Sequence, residues 1–180
     1  MREGEGSAME NTTTQREFAA VWKWCTQGIG VDIGCGTNRL SPRILAIDHT
    51  DHAENGPDLV MDAALLDWRH KGGPGFRDNC FDFIFSSHCL EDFEDIEGVL
   101  REWWRKLKFE GVLVLLLPDM EGGRYPRVED PNGNPSHRVN VGPKMMAETL
   151  SRLFGACCEI VQCDTIKGGC TFDIVARRRR

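Results

Sequence analysis

The chain has 180 residues, 41% of them hydrophobic, which is enough for one core between helices and a sheet and too little for a second domain. Its longest purely apolar run, Val112 to Leu117, is far short of a membrane span, and Met1 to Thr14 lacks the apolar core of a signal peptide, so a soluble, cytoplasmic protein is expected. Acidic residues outnumber basic ones 28 to 22, and without Arg177 to Arg180 the body carries −10, which argues against nucleic acid as a partner.

In chain order, residues 1–10 are polar and glycine-rich and read as a disordered lead-in to a single domain over residues 11–176. Asn11 or Thr12 can cap a helix through Phe18, Val21 and Trp22, whose spacing places them on one face and predicts a helix covering the sheet edge. Short apolar runs bounded by Gly, Pro, Asp or Asn then follow: Ile29 to Ile33, Ile44 to Asp48, Leu59 to Met61, Phe81 to Ser86 and Val112 to Leu117. They read as buried strands. Between the last two, Asp92 to Lys108 carries Phe93, Ile96, Val99, Leu100, Trp103, Trp104 and Leu107 at helical spacing, acidic residues early and basic residues late. That predicts a crossover helix with one tryptophan in the core and the other at an edge or interface.

Pro118 to Gly142 is a long stretch rich in Gly, Pro, Asn and Asp, and loops of that length usually cover a site. Pro143 opens a helix to Phe154, and two strands, Glu159 to Asp164 and Thr171 to Ala176, close the domain around Gly168-Gly169. Residues 177–180 read as a solvated basic tail. The expected fold is a three-layer α/β, Rossmann-like seven-stranded sheet, mostly parallel with one antiparallel C-terminal strand. Ligands of such sheets sit beyond the carboxyl ends of the strands.

Those ends carry the chemistry. After the first strand stands Asp32-Ile-Gly34-Cys35-Gly36-Thr-Asn38, where glycines leave a ligand free to approach the backbone. The second strand ends in Asp48, next to His49, and a carboxylate there can accept from two ribose hydroxyls. The third is followed by Asp62-Ala63, suited to an adenine amino group and ring. The eight cysteines, among them Cys80, Cys89, Cys157 and Cys158 near apolar segments, read as reduced, buried thiols, and the cluster Asp48, His49, Asp51, His52 as loop residues rather than a metal site.

Taken together, these residues resemble class I S-adenosylmethionine-dependent methyltransferases of the type 11 kind. Val31-Asp-Ile-Gly-Cys-Gly-Thr37 is similar to that family's first motif, Phe81-Asp-Phe-Ile-Phe-Ser-Ser-His-Cys-Leu-Glu91 to its "FD-strand-SSHxLEH" signature, and Arg105-Lys-Leu-Lys-Phe-Glu-Gly111 to its "RxLKPGG" turn. The resemblance implies S-adenosylmethionine as cofactor, its amino acid end held by Asp32 and the backbone of Gly34, Cys35 and Gly36. It implies Asp48 with His49 at the ribose, Asp62 and Ala63 at the adenine, and Ser86, Ser87 and His88 as the floor under the sulfur. Asn38 and Arg39 replace residues where a further glycine is usual, Phe109-Glu110 replaces Pro-Gly, and Asp92 stands where the family often has His. The first crossover has no room for an ordinary helix.

The residues leave several roles open. A hydroxyl acceptor would need a general base, for which His88, His137 and Asp119 are candidates, against the plainer readings of a hydrogen-bonding floor residue and an exposed loop histidine. Trp68, after the adenine loop, either stacks on the cofactor or packs under the sheet. The expected acceptor is a small molecule, glycan or lipid headgroup, since Pro118 to Gly142 is the only insertion large enough to recognise one; the expected assembly is a monomer or homodimer. The alternatives are an NAD-binding oxidoreductase, which would place the third glycine of its fingerprint at Arg39, and a non-catalytic cofactor-binding module.

Overall fold

In the computed structural model, which describes residues 13–52, 55–66, 75–166 and 169–180, the strand runs become β1 (Gly30–Ile33), β2 (Leu45–Asp48), β3 (Leu59–Val60), β4 (Phe81–Ser87), β5 (Leu107–Pro118), β6 (Cys158–Thr165) and β7 (Thr171–Arg178). They form one sheet in the order β3-β2-β1-β4-β5-β7-β6. Every pairing from β3 to β5 is parallel, and β7 lies antiparallel between β5 and β6. The order reverses between β1 and β4, which opens a crevice beyond their carboxyl ends. The disordered lead-in and Trp68 expected from the sequence lie outside the described residues, as does Gly168 of the last turn.

Two helices cover one face: α2 (Ile96–Lys106) and α3 (Pro143–Phe154). Asp95 caps α2, its Oδ1 accepting from Gly98 N at 2.9 Å, so the helix starts later than its apolar spacing predicts. It also ends earlier, because Leu107 turns extended and pairs with Phe81 across an irregularity between Phe81 and Phe83. Ile96, Val99, Leu100, Trp103 and Trp104 of α2 are all buried against the sheet. Both tryptophans are therefore core, since Trp104 stacks on Phe154 of α3 with ring centroids 4.2 Å apart.

The opposite face is covered by α1 (Thr13–Val21) and a 3-10 turn over Trp22–Trp24. The crossovers from β1 to β2 and from β2 to β3 contain no helix among the described residues. In their place α1 lies over the middle of the sheet instead of its edge: Phe18 meets Phe85 of β4 edge-on at 5.4 Å, and Val21 and Cys25 pack with Phe83, Val114 and Val175. Trp22, expected on that buried face, is 43% exposed, and Trp24 is the one that turns in, donating from Nε1 to Gln162 at 3.0 Å.

The terminal arginines correct the expectation of a solvated tail. Arg177 and Arg178 belong to β7, and Arg178 Nη1 donates to the carbonyl of Trp104 at 3.0 Å while its guanidinium lies over Phe109. The C-terminal carbonyls of α2 are thus met by a cation, as its dipole favours. All eight cysteines are free; Cys25 and Cys35 are buried, but Cys157 is exposed, since it lies in the turn after α3 rather than in the following strand. Among the described residues no helix is long and apolar enough to cross a membrane.

Candidate functional site

Two adjoining cavities open at the carboxyl ends of β1, β2 and β4, both lined by Gly34 and His88. The larger, about 470 Å³, is lined by Asp48, His49, Asp62, Ala63, Cys89, Asp92, Phe93, Ser136 and Arg138. The other, about 340 Å³, is lined by Thr14, Glu17, Phe18, Asp32, Cys35, Gly36, Asn38, His52 and Ser87. The strand ends therefore gather into one crevice nearly all of the residues expected to meet a cofactor. Ser86 differs: it is 1% exposed in β4 and its side chain stays under the crevice.

The wall beside β1 is built by turns. Gly34 and Gly36 adopt φ of +71° and +51°, a left-handed backbone that glycine takes at least cost. A Cβ on Gly34 would fall 2.4 Å from Cys89 Sγ, whereas one on Gly36 would meet no protein atom and would project into open space. Asp48 holds this turn: its Oδ2 accepts from Gly36 N and its Oδ1 from Thr50 N, both at 2.9 Å. A carboxylate has about four acceptor positions, so two remain, with His49 Nδ1 3.1 Å from Oδ1. Asp48 and Asp62 face the same cavity, and Asp62 Oδ1 accepts from Ala64 N at 2.9 Å, which shapes the turn presenting Ala63. Trp103 fixes that turn from below, its Nε1 donating to Ala63 O at 2.8 Å.

Asp32 is 1% exposed, and its Oδ2 accepts from Leu40 N at 2.7 Å. Burial, with Asp48 nearby, pushes its carboxyl up to about 7 against that hydrogen bond. Burial and the same two carboxylates raise the Cys35 thiol to about 12, so it stays neutral. Arg39, where an oxidoreductase fingerprint needs glycine, instead braces the helix-free crossovers, donating to Asp58 at 2.6 Å and to Ile44 O at 2.8 Å.

Three candidate bases fare differently from expectation. His88 sits at the junction of the cavities with φ of +50°, Nδ1 3.5 Å from Glu91 Oε1 and Nε2 3.9 Å from Glu17 Oε1. Burial opposes its charge, but the two carboxylates outweigh it and raise the imidazole to about 10. Charged at neutral pH, it has no lone pair to take a proton. His137, expected in an exposed loop, is buried, with Nε2 3.6 Å from Glu91 Oε1 and its ring beside Tyr125. Asp119 spends its carboxylate on its own loop, Oδ1 accepting from Gly122 N at 2.7 Å and Oδ2 lying 3.5 Å from Arg124 Nε.

Glu17 and Glu91 are the site residues that sequence reasoning missed. Glu17 accepts from Thr171 Oγ1 at 2.5 Å, and this bond with His88 lowers its carboxyl although burial pulls the other way. A signal for it existed, because Glu17 precedes Val21 by four residues and so shares the apolar face of α1. The pH dependence follows from His88. A histidine raised from 6.5 to about 10 stabilises the fold fully below pH 6.5, and that contribution is lost as the pH rises through about 10. Melting temperature should therefore fall between those limits, and His88→Gln should flatten the fall; an unchanged slope in the variant would assign it to other groups.

A family model described as a methyltransferase domain matches residues 31–115. No curated protein matches the sequence. Solved structures are similar over most of their length and this one's. An S-adenosylmethionine-dependent methyltransferase of Thermotoga maritima, described as a possible histamine N-methyltransferase, is 19% identical with a TM-score of 0.70, covering 92% of this chain and 89% of its own. The Burkholderia thailandensis 1,6-didemethyltoxoflavin-N1-methyltransferase, solved with that compound and S-adenosylhomocysteine, is 15% identical with a TM-score of 0.66, covering 93% and 78%. The [4+2]-cyclase SpnF is 14% identical with a TM-score of 0.70, covering 98% and 86%. At these identities the likeness shows the fold alone.

Proposed function

We propose that the chain is a class I S-adenosylmethionine-dependent methyltransferase that binds the cofactor across the two adjoining cavities and methylates a small-molecule, glycan or lipid-headgroup acceptor admitted beneath residues 136–138. One observation carries the reading: Asp48 and Asp62, at the ends of neighbouring strands, face one cavity continuous with the glycine turn. The shape fits the group. The space that a Cβ on Gly36 would enter is free of protein, so a ligand can lie against that backbone.

In this reading Asp48 accepts from the ribose hydroxyls with its two unused positions, His49 giving way at the exposed rim. Asp62 and Ala63 meet the adenine, with Phe93 beside it. Asp32, Gly34, Cys35 and Gly36 hold the amino acid end, and Ser87 and His88 form the floor between the cavities. S-adenosylmethionine, when bound, supplies a methyl group activated by its sulfonium. The chain contributes placement and exclusion of water, which serve an in-line displacement without covalent help from side chains. His88, as a cation flanked by Glu17 and Glu91, acts on charge and orientation rather than as a base. None of His88, His137 and Asp119 is placed to take a proton from the acceptor, so an acceptor atom that need not lose a proton before it attacks, such as a neutral amine nitrogen, suits the site best.

The acceptor class is supported by the roof. Ser136 and Arg138 of the 118–142 loop line the cavity, and the walls present Asp48, Asp62 and Asp92 against Arg138 and the His88 cation. The acids still outnumber the cations there, and with the net acidic body this disfavours a polyanion. The test is incubation with methyl-labelled S-adenosylmethionine and fractionated cell extract. Label is expected in the low-molecular-weight, glycan or lipid fraction; label found only in nucleic acid or protein would overturn the acceptor class.

A further inference from the structure

Glu91 is a carboxylate with no solvent exposure, at a point where two functional parts of the molecule meet. It is the middle residue of the 3-10 turn Leu90–Asp92, three residues after His88, and its Oε1 lies 3.5 Å from His88 Nδ1 and 3.6 Å from His137 Nε2. Its main-chain oxygen accepts from Arg138 N at 2.8 Å and Val139 N at 3.2 Å, so backbone and side chain of one residue both hold the long loop. The loop alternates at this point. Ser136 and Arg138 line the larger cavity, and His137 between them turns inward to Glu91. Ser136 Oγ also donates to Asp92 Oδ1, the next residue, at 3.0 Å.

A carboxylate shut away from water persists only beside counter-charges, and an apolar side chain would fill the same space at lower cost. Its presence therefore asks for a role. We propose that Glu91 is a positioning residue that latches the 118–142 loop over the cavity through His137 and, with the same carboxylate, orients His88 in the cavity floor. The acceptor side and the cofactor side then share one anchor, and His137 is the loop's contact with it. This rests on the proposed reading of the cavity as the cofactor site.

The test uses the full chain without ligand. In Glu91→Gln, and separately in His137→Gln, amide hydrogen exchange at Arg138 and Val139 should quicken about tenfold while amides of β4 and β5 keep their rates. Exchange across β4 and β5 would rise too if the variants merely loosened the fold. Histidine NMR adds a second arm: the His88 imidazole, raised to about 10, should titrate lower in Glu91→Gln and stay in place in His137→Gln. Wild-type exchange at Arg138 and Val139 in either folded variant, or an unmoved His88 in Glu91→Gln, would overturn the latch. Should Glu91→Gln fail to fold, His137→Gln decides the loop arm. Binding of S-adenosylhomocysteine to the wild-type chain is measured separately, and its failure would sink the cofactor reading while leaving both latch arms interpretable.

Discussion

Replacing Asp48 with alanine should weaken S-adenosylhomocysteine binding by about 1 to 3 kcal/mol, roughly 5- to 150-fold, as read by titration calorimetry. Two losses combine. The direct one is the carboxylate that the ribose hydroxyls would use, whose hydrogen bonds are charge-assisted. The indirect one is the turn: Gly36 N and Thr50 N both donate to Asp48, and neither finds that acceptor in the variant. Glycine-turn order and cofactor affinity should therefore fall together, and Asp48→Asn, which keeps one acceptor oxygen, should lose less of both. Unchanged affinity in Asp48→Ala would remove this residue from the site.

Replacing Trp103 with alanine should cost about 3 to 5 kcal/mol of stability, measured by urea denaturation. The indole is fully buried between α2 and the sheet, in the larger of the two cores. Against a total of about 5 to 15 kcal/mol, such a loss leaves a marginal fold. Trp103→Phe separates packing from positioning. Phenylalanine fills much of the space but cannot donate to Ala63 O, so the turn carrying Asp62 and Ala63 loses its support. That variant should remain folded, about 1 to 3 kcal/mol less stable, and bind S-adenosylhomocysteine more weakly. Weakened stability with wild-type affinity would show that the turn holds without the indole.

Much of this architecture was legible in the residues because each strand announces itself twice, by a short apolar run and by the turn residue that ends it. Asp48 and Asp62 could be assigned to one crevice before any coordinates, since ends of neighbouring parallel strands must lie side by side. The missing helix after β1 was also readable, from the short distance between Ile33 and Ile44. What could not be read was which partner each apolar face would choose. Helical spacing shows that Phe18 and Val21 share a face, yet it does not show that α1 lies at the sheet centre, over crossovers without a helix among the described residues.

Charge pairing was the second blind spot. Glu17, the pair His88 and Glu91, and His137 come from three separate parts of the chain, and nothing local marks Glu91 as buried. Read singly, His88 and His137 look like bases; read together with their carboxylates, one is a held cation and the other an anchor. Asp119 misled for a related reason. An acid at a strand end either faces a ligand or folds the following loop, and here Gly122 N and Arg124 claim it.

A crystal structure with S-adenosylhomocysteine is the most direct measurement. The two ribose hydroxyls should lie about 3 Å from the Asp48 carboxylate, with the adenine at Asp62 and Ala63 and the amino acid end beside Gly36. A nucleoside bound elsewhere, with side chains closing the space between the two acids, would contradict the account.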